Sequence, residues 1–157
     1  HRSSRSQCDI RNDLGNSGLA FDLYLLDDFK ARFKDYKAII FPTVISSPEL
    51  EEAKSLCKQA GIPMLCSSME KWEFTPDELR DFAKQAGTHV FCDSDDVICF
   101  GNSLLSVHSA TEGKKEIKLP KKALIKNVCS NAKPFISDKI VLDMKKHETL
   151  LFTLKNT

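Results

Sequence analysis

The sequence predicts an α/β fold in which a mainly parallel sheet flanked by helices is followed by a small antiparallel β domain. Two observations predict the first part: apolar, strand-like runs alternate with amphipathic helical segments, and clear capping residues bound the helices. A third predicts the second part, because the helical period disappears after Asp96 and short strand patterns separated by turn residues follow. The expected domains are residues 9–95 and 96–157.

The strands of the first domain are predicted from their apolar runs, at residues 19–26, 37–41, 62–66 and 89–92. The second run is apolar without interruption from Ala38 to Phe41, which is typical of a strand buried on both faces. Such runs alternating with helices favour right-handed crossovers and a parallel sheet.

The two long helices are predicted from their ends. Ser47 is a good N-cap with Pro48 at the first helical position, and Gly61 supplies the stop. The second helix begins at Thr75, with an acidic residue three positions later that completes a capping box, and ends at Gly87.

The second domain is predicted to hold six short strands, at residues 97–100, 104–108, 116–119, 123–128, 139–144 and 150–154. Turn residues such as Gly101-Asn102 and Glu112-Gly113 separate them. This spacing indicates a small antiparallel sandwich or sheet.

The amino-acid composition argues against nucleic acid and membranes as partners. The 23 basic and 22 acidic residues give a net charge of +1, which favours neither nucleic acid nor an anionic membrane. No apolar run approaches the roughly 18 residues of a membrane span, and the first residues lack the apolar centre of a signal peptide. The six cysteines show no paired spacing, which is typical of a reduced compartment, so we expect a cytoplasmic protein without a cofactor.

Short motifs that end at Pro120 occur in a defined order: AGTHV, an acidic turn, a Gly-Asn hairpin, SVHSA and KEIKLP. In this order they resemble the C-terminal part of β-galactosidase-like glycoside hydrolases of the family 42 type. Upstream, FDLYLLDDF and DYKAIIFPT resemble the trimerisation domain of that family, which is a glutamine-amidotransferase-like α/β module.

The resemblance implies a non-catalytic assembly region of an enzyme of carbohydrate metabolism. A catalytic (β/α)8 barrel needs ~250 residues and does not fit in this chain. The resemblance also implies a homo-oligomer, with a trimer as the first candidate, that meets carbohydrate through its parent enzyme. Because the first strand expected of such a module is missing, we expect an unpaired sheet edge and place the contact at Leu23 and Tyr24.

Two alternatives follow from individual residues. Cys66 ends a predicted strand, where a stand-alone amidotransferase-like hydrolase would carry its nucleophile, but the small residues of a strained elbow and a His-x-Glu base are missing. A carbohydrate-binding module would use Trp72 and the β domain. Trp72 and Phe74 lie in a polar loop, where they could stack on a sugar ring or anchor an interface.

Zinc-ligand residue types occur at His89, Cys92, Cys99 and His108. Strand alternation opposes a zinc site, because residues an odd number apart in a strand point to opposite faces. We expect structural hydrogen bonds from both histidines and no bound metal.

Charged clusters also have a structural explanation. The turn that contains Asp93, Asp95 and Asp96 lacks the EF-hand pattern and is predicted to be solvated. Asp27 and Asp28 are predicted to begin a helix, where the dipole favours negative charge. Five lysines are interpreted as the solvent-exposed face of an edge strand rather than as a nucleic-acid site: Lys114, Lys115, Lys118, Lys121 and Lys122.

Overall fold

The structure, a computed structural model, describes residues 8–71 and 73–157. The chain divides into two compact units. Unit 1 contains the residues up to Asp13 together with Asp22–Thr88, and unit 2 contains Leu14–Phe21 together with His89–Thr157. The change of unit after Thr88 falls a few residues before the boundary expected from the sequence.

Helices dominate unit 1. A short helix, α1 (Cys8–Gly15), opens the described chain, and three consecutive helical turns follow after residue 25. The elements of this part are a 3-10 turn (Leu26–Asp28), α2 (Phe29–Arg32), a second 3-10 turn (Phe33–Asp35), β1 (Ile39–Phe41), α3 (Pro48–Ala60), β2 (Met64–Cys66) and α4 (Pro76–Gln85).

The predicted helix starts and the predicted stop at Gly61 are confirmed, whereas α4 ends at Gln85 with Ala86 as its C-cap, just before the predicted stop at Gly87. The Ser47 hydroxyl accepts the backbone N–H of Leu50 at 3.2 Å, which satisfies a donor that the helix itself leaves free. Gly61 ends α3 with φ of 68°, a left-handed conformation that suits glycine. At α4, Thr75 and Glu78 form the complete capping box.

A two-stranded parallel sheet lies within unit 1. Its strands β1 and β2 pair from Ile39 with Met64 to Phe41 with Cys66. Burial of apolar side chains from this sheet, the helical turns and α3 forms a small core. Its buried members are Phe33, Phe41, Leu50, Ala53 and Cys57.

The prediction of a larger parallel, amidotransferase-like sheet is wrong. Residues 19–25 and 89–92 are not strands, so within the described ranges the parallel sheet consists of β1 and β2. The backbone near residue 91 has other partners: the Phe91 N–H donates to the Gly18 carbonyl at 2.9 Å, and the Phe91 carbonyl accepts the Lys118 N–H at 2.6 Å. An apolar run identifies a buried segment, but it does not identify the partner that satisfies its backbone.

Unit 2 is built on the predicted antiparallel sheet, and this sheet is the larger of the two. It has five strands in the order β3–β4–β7–β5–β6. Their bounds are β3 (Val97–Gly101), β4 (Leu104–His108), β5 (Gly113–Asn127), β6 (Phe135–Met144) and β7 (Thr149–Asn156). Asn102 and Ser103 join β3 to β4 with positive φ at both residues, as a two-residue hairpin turn of the primed type requires.

One strand, β5, replaces two predicted strands. It continues through the segment between Lys118 and Ala123, where its pairing register with β6 shifts. Because β5 lies between β7 and β6, the interpretation of its lysines as the face of an edge strand is wrong. The inward side chains of all five strands form one core that includes Ile98, Leu105, Val107, Ile117, Ile125, Ile140 and Phe152.

Gly18 explains why a segment distant in sequence belongs to unit 2. Its φ is 67°, and a Cβ atom at this position would overlap the carbonyl oxygen and the Sγ of Cys92. Only glycine allows the two backbones to approach this closely. The flanking side chains of Ser17 and Leu19 are buried.

Candidate interaction site

Consecutive apolar side chains are exposed in residues 22–26 of unit 1, which we call the apolar segment. The exposed fractions are 55% for Leu23, 45% for Tyr24 and 74% for Leu25. Single exposed apolar residues are ordinary, but a contiguous exposed run indicates a contact surface. The two residues expected from the sequence to form a contact are therefore accessible, and whether they do so stays a prediction.

Tyr36 holds the apolar segment at its start. Its hydroxyl donates to a carboxylate oxygen of Asp22 at 2.7 Å and lies 2.8 Å from the hydroxyl of Tyr24. The rings of Tyr24 and Tyr36 also meet edge to face, with centroids 5.8 Å apart.

These contacts raise the pKa of Tyr36. Burial contributes most, followed by the hydrogen bonds with Tyr24 and with Asp22, whose negative charge further opposes ionisation. Arg32 adds a cation–π contact, with its guanidinium carbon 5.2 Å from the centre of the Tyr24 ring. The apolar segment is thus held in place by the contacts of Asp22 and Tyr24 with Tyr36 and Arg32.

A shallow depression of about 250 Å³ begins where the apolar segment ends. It is smaller than the ~300–1,000 Å³ of a typical small-molecule pocket. Lys30 and Glu52 form an ion pair of 2.7 Å among its lining residues. The depression is lined by Leu26, Asp27, Phe29, Lys30, Glu49, Glu52 and Ala53. Its size suits one side chain of a partner better than a substrate.

Asp27 and Asp28 lie in the first turn of the helical segment, as predicted. The N-terminal partial charge of a helix favours carboxylates at this position. The strand expected before them is absent, because residues 19–25 have no regular structure.

Cys66 lies at the end of β2, where the sequence places it, but no nucleophile elbow follows. The next amide, that of Ser67, still donates to the Phe41 carbonyl at 3.1 Å, so the chain continues along β1 instead of turning sharply into a helix. The next helix, α4, begins only at Pro76. No histidine occurs among the described residues of unit 1, so those residues offer Cys66 no imidazole base.

Of the two aromatic residues predicted to be available for sugar stacking, Trp72 and Phe74, the structure describes only Phe74. Phe74 is only 5% exposed, so the expectation of an exposed ring is wrong at this position. Lys71 instead places its ammonium 5.6 Å from the centre of the Phe74 ring and pairs with Glu78, which joins the loop to α4. Trp72 lies outside the described residues.

The zinc-type residues of unit 2 have separate surroundings. His89 Nε2 donates to the Lys118 carbonyl at 2.8 Å, and His108 Nδ1 forms a 2.8 Å hydrogen bond with the Thr149 hydroxyl, so both histidines have the structural hydrogen bonds expected. Cys92 is buried, whereas Cys99 is exposed. In the described part of the chain, no three metal-ligating side chains cluster.

A buried ion pair in unit 2 was not foreseen. Asp96 is fully buried, so the prediction of a solvated acidic turn is wrong for this residue. Its carboxylate accepts the Ser94 hydroxyl at 2.6 Å, the Ala110 N–H at 2.9 Å and the Lys115 ammonium at 3.1 Å. Lys115 also donates to the hydroxyl of Thr111 at 2.8 Å.

The hydrogen bonds set the charge of Asp96. Burial alone would raise the pKa of its carboxyl, but the bonds from Ser94, from the Ala110 amide and from Lys115 outweigh burial and lower the pKa. The pair ties the start of β3 to β5 and to the loop before β5. Lys115 belongs to the cluster of five lysines between residues 114 and 122, yet its partner lies 19 residues away, and no local pattern reveals it.

Exposed charges accompany this pair on the same sheet. Lys118 forms an ion pair of 2.7 Å with Asp93, and Lys139 lies 3.7 Å from Glu116. The basic cluster is thus interleaved with carboxylates, which argues against a surface that attracts phosphate backbones.

Comparison of the chain with protein-family models, with curated proteins and with solved structures gives no match. None of the helices in the described ranges is long and apolar enough to cross a membrane. Among the described residues, the apolar segment shows the contiguous exposed apolar side chains that are typical of a contact surface.

Proposed function

We propose that this chain is a non-catalytic assembly module that self-associates through the apolar segment. One observation carries the proposal: Leu23, Tyr24 and Leu25 are exposed in succession while Tyr36 holds the start of the segment. Exposed apolar side chains gain free energy when a partner removes them from water, at roughly 25 cal/mol per Å².

The hydrogen bonds of Tyr36 support binding because they reduce its entropic cost. Ordering a flexible loop on association costs about 0.5–1.5 kcal/mol for each immobilised side chain. Here Tyr24 is already fixed by a hydrogen bond, an aromatic contact and Arg32. Tyrosine and arginine are also enriched in the buried centres of protein interfaces.

The parent protein that we propose is a β-galactosidase-like glycoside hydrolase of carbohydrate metabolism, for which this chain serves as a C-terminal accessory region. The support is the order of short motifs between Ala86 and Pro120. Within that order, the Gly-Asn motif corresponds to the hairpin turn that follows Gly101. The proposal does not include an amidotransferase-like part, because the parallel sheet in the described part of unit 1 has two strands.

Substitution within the apolar segment tests the self-association. We expect Leu23→Lys and Tyr24→Lys to lower the molar mass measured by size-exclusion chromatography with light scattering, because each buries a charge in the contact. Met69→Lys is the matched control, since Met69 is an exposed apolar residue of the same unit, 82% accessible. An unchanged mass in both segment variants would overturn the proposal.

Activity provides a second test. A glycosidase needs two carboxyl groups fixed about 5–10 Å apart around the scissile bond. We expect the pure chain to hydrolyse a nitrophenyl galactoside no faster than buffer. Hydrolysis that a single Asp or Glu substitution abolishes would contradict a non-catalytic role.

A further inference from the structure

We propose that the free edge of β6 in unit 2 pairs antiparallel with the same edge of a second copy of the chain, around a two-fold axis through Val141. This contact uses a surface separate from the apolar segment and does not depend on it. It is argued from the direction of the backbone groups of β6, the exposure of its side chains and the order of its charges.

The strand β6 lies at one edge of the antiparallel sheet. In the sheet of described residues, β6 has β5 on one side and no strand on the other. The Lys118 N–H of β5 donates to the Phe91 carbonyl, not to β6, although Lys118 is directly opposite Lys139. The pair is therefore of the kind without hydrogen bonds, in which the backbone groups of both residues point away from each other.

The direction of backbone groups alternates along a strand, so it can be extended from Lys139. Because the backbone groups of Lys139 point to the free edge, those of Val141 and Asp143 do so too, whereas the intervening residues bond to β5. The Lys139 N–H is occupied by the Ser137 hydroxyl at 3.0 Å. The N–H groups of Val141 and Asp143 are the donors that the edge offers.

The side chains of the same three residues share the outer face of the sheet. Lys139, Val141 and Asp143 are exposed, whereas Ile140 and Met144 between and beyond them are buried. Val141 is 48% exposed, although a β-branched residue pairs best with another apolar side chain across a strand.

The order of charges makes this edge complementary to itself. In an antiparallel pair centred on Val141, the two copies of Val141 face each other, and Lys139 of each copy faces Asp143 of the other. Each Val141 then donates to and accepts from its counterpart, and the Asp143 N–H donates to the Lys139 carbonyl of the other copy. Opposite charges directly across a strand stabilise the pair, and every other register loses this match.

The remainder of β6 is protected, which limits pairing to this register. The shift in pairing between Lys118 and Ala123 interrupts the ladder next to Ser137, and the Ser137 side chain covers the adjacent amide. Irregular pairing of this kind is a common way to block an edge strand. Beyond the Lys139 amide, the regular stretch from Ile140 to Asp143 has no such protection.

A zero-length cross-link gives a direct test. Equal amounts of unlabelled and 15N-labelled chain are mixed and treated with a carbodiimide, which joins an amine to a carboxylate in direct contact. Within one strand, Lys139 and Asp143 lie ~13 Å apart, so they cannot react with each other in the same copy. We expect a Lys139–Asp143 peptide of mixed isotope content, and its absence at the highest soluble concentration would overturn the proposal.

Charge reversal in the Leu23→Lys background gives the second test, because it isolates this contact from the apolar segment. We expect a dimer in that background, monomers for Lys139→Asp or Asp143→Lys alone, and a restored dimer when the two reversals are combined. Lys126→Asp is the matched control, because Lys126 is exposed on β5 away from the edge. A dimer that persists in both single reversals, or a double reversal that stays monomeric, would overturn the proposal.

Val141→Pro covers the case in which the charge variants fold poorly. Its missing N–H points to the free edge, so the bonds to β5 are kept, and proline is tolerated on edge strands. We expect a monomer in the Leu23→Lys background with far-UV circular dichroism of the parent. A dimer would contradict the β6 contact, whereas loss of the Leu23→Lys effect alone would contradict only the proposed function.

Discussion

Unit 1 and unit 2 differ in how they bury apolar side chains and pair polar groups. Unit 2 has a five-stranded sheet, one continuous core and a buried ion pair whose members have several partners each. Unit 1 has two strands of three residues, a smaller core and an exposed run of apolar side chains. The difference indicates that unit 2 supplies stability, whereas unit 1 carries apolar surface that a partner can cover.

The largest expected effect concerns the ion pair that fixes unit 2. Asp96→Ala leaves the Lys115 ammonium buried without its carboxylate, which costs about 3–5 kcal/mol of stability. Thermal unfolding followed by circular dichroism should show a midpoint lower by roughly 10 °C or more.

The control for this variant is Asp93→Ala, which removes the exposed pair with Lys118. Exposed ion pairs contribute little, so its midpoint should stay close to that of the wild type. If the two variants unfold at the same midpoint, the buried ion pair does not contribute to the greater stability that we assign to unit 2.

A glycine in each unit gives the next largest contrast. Gly18 and Gly61 share almost the same φ, 67° and 68°, but a Cβ atom overlaps Cys92 at Gly18 and meets nothing within 4 Å at Gly61. Alanine at either position costs about 1–2 kcal/mol for the left-handed conformation, and overpacking at Gly18 adds about 1–3 kcal/mol. Urea unfolding should therefore give a lower free energy of unfolding for Gly18→Ala than for Gly61→Ala. The reverse order would show that the fold does not require the close approach of the two backbones.

The smallest expected effect is a dependence on pH in unit 1. Because the folded state raises the pKa of Tyr36, this residue stabilises the fold below its unfolded pKa of about 10, and the contribution is lost as pH rises above that value. Tyr36→Phe should flatten the decline in the free energy of unfolding between about pH 9 and 12. Parallel pH profiles for the variant and the wild type would contradict the hydrogen-bond arrangement around Asp22.

The sequence predicted the features that depend on neighbouring residues. The cap at Ser47, the capping box at Thr75 and the stop at Gly61 each follow from hydrogen bonds or backbone conformation within a few positions. The hairpin between β3 and β4 follows from its alternating pattern and its turn. These rules need no knowledge of the rest of the fold.

The errors concern contacts between residues that are distant in sequence. Phe91 bonds to Gly18 and to Lys118, so an apolar run that resembles a strand joins no ladder. Asp96 looked like a solvated turn residue because Lys115 lies far along the chain. At the candidate site, Leu23 and Tyr24 are accessible, but the unpaired sheet edge from which their contact was predicted is absent, because residues 19–25 form no strand. The role of Tyr36 as their support was not predicted.

Both proposed contacts require that the chain assembles with copies of itself. Sedimentation equilibrium of the wild-type chain over a wide range of concentrations tests this self-association, because the monomer mass is 17.7 kDa. We expect a weight-average mass that rises above the monomer value with concentration and falls in the Leu23→Lys variant. A wild-type chain that stays at 17.7 kDa up to the highest soluble concentration would contradict it.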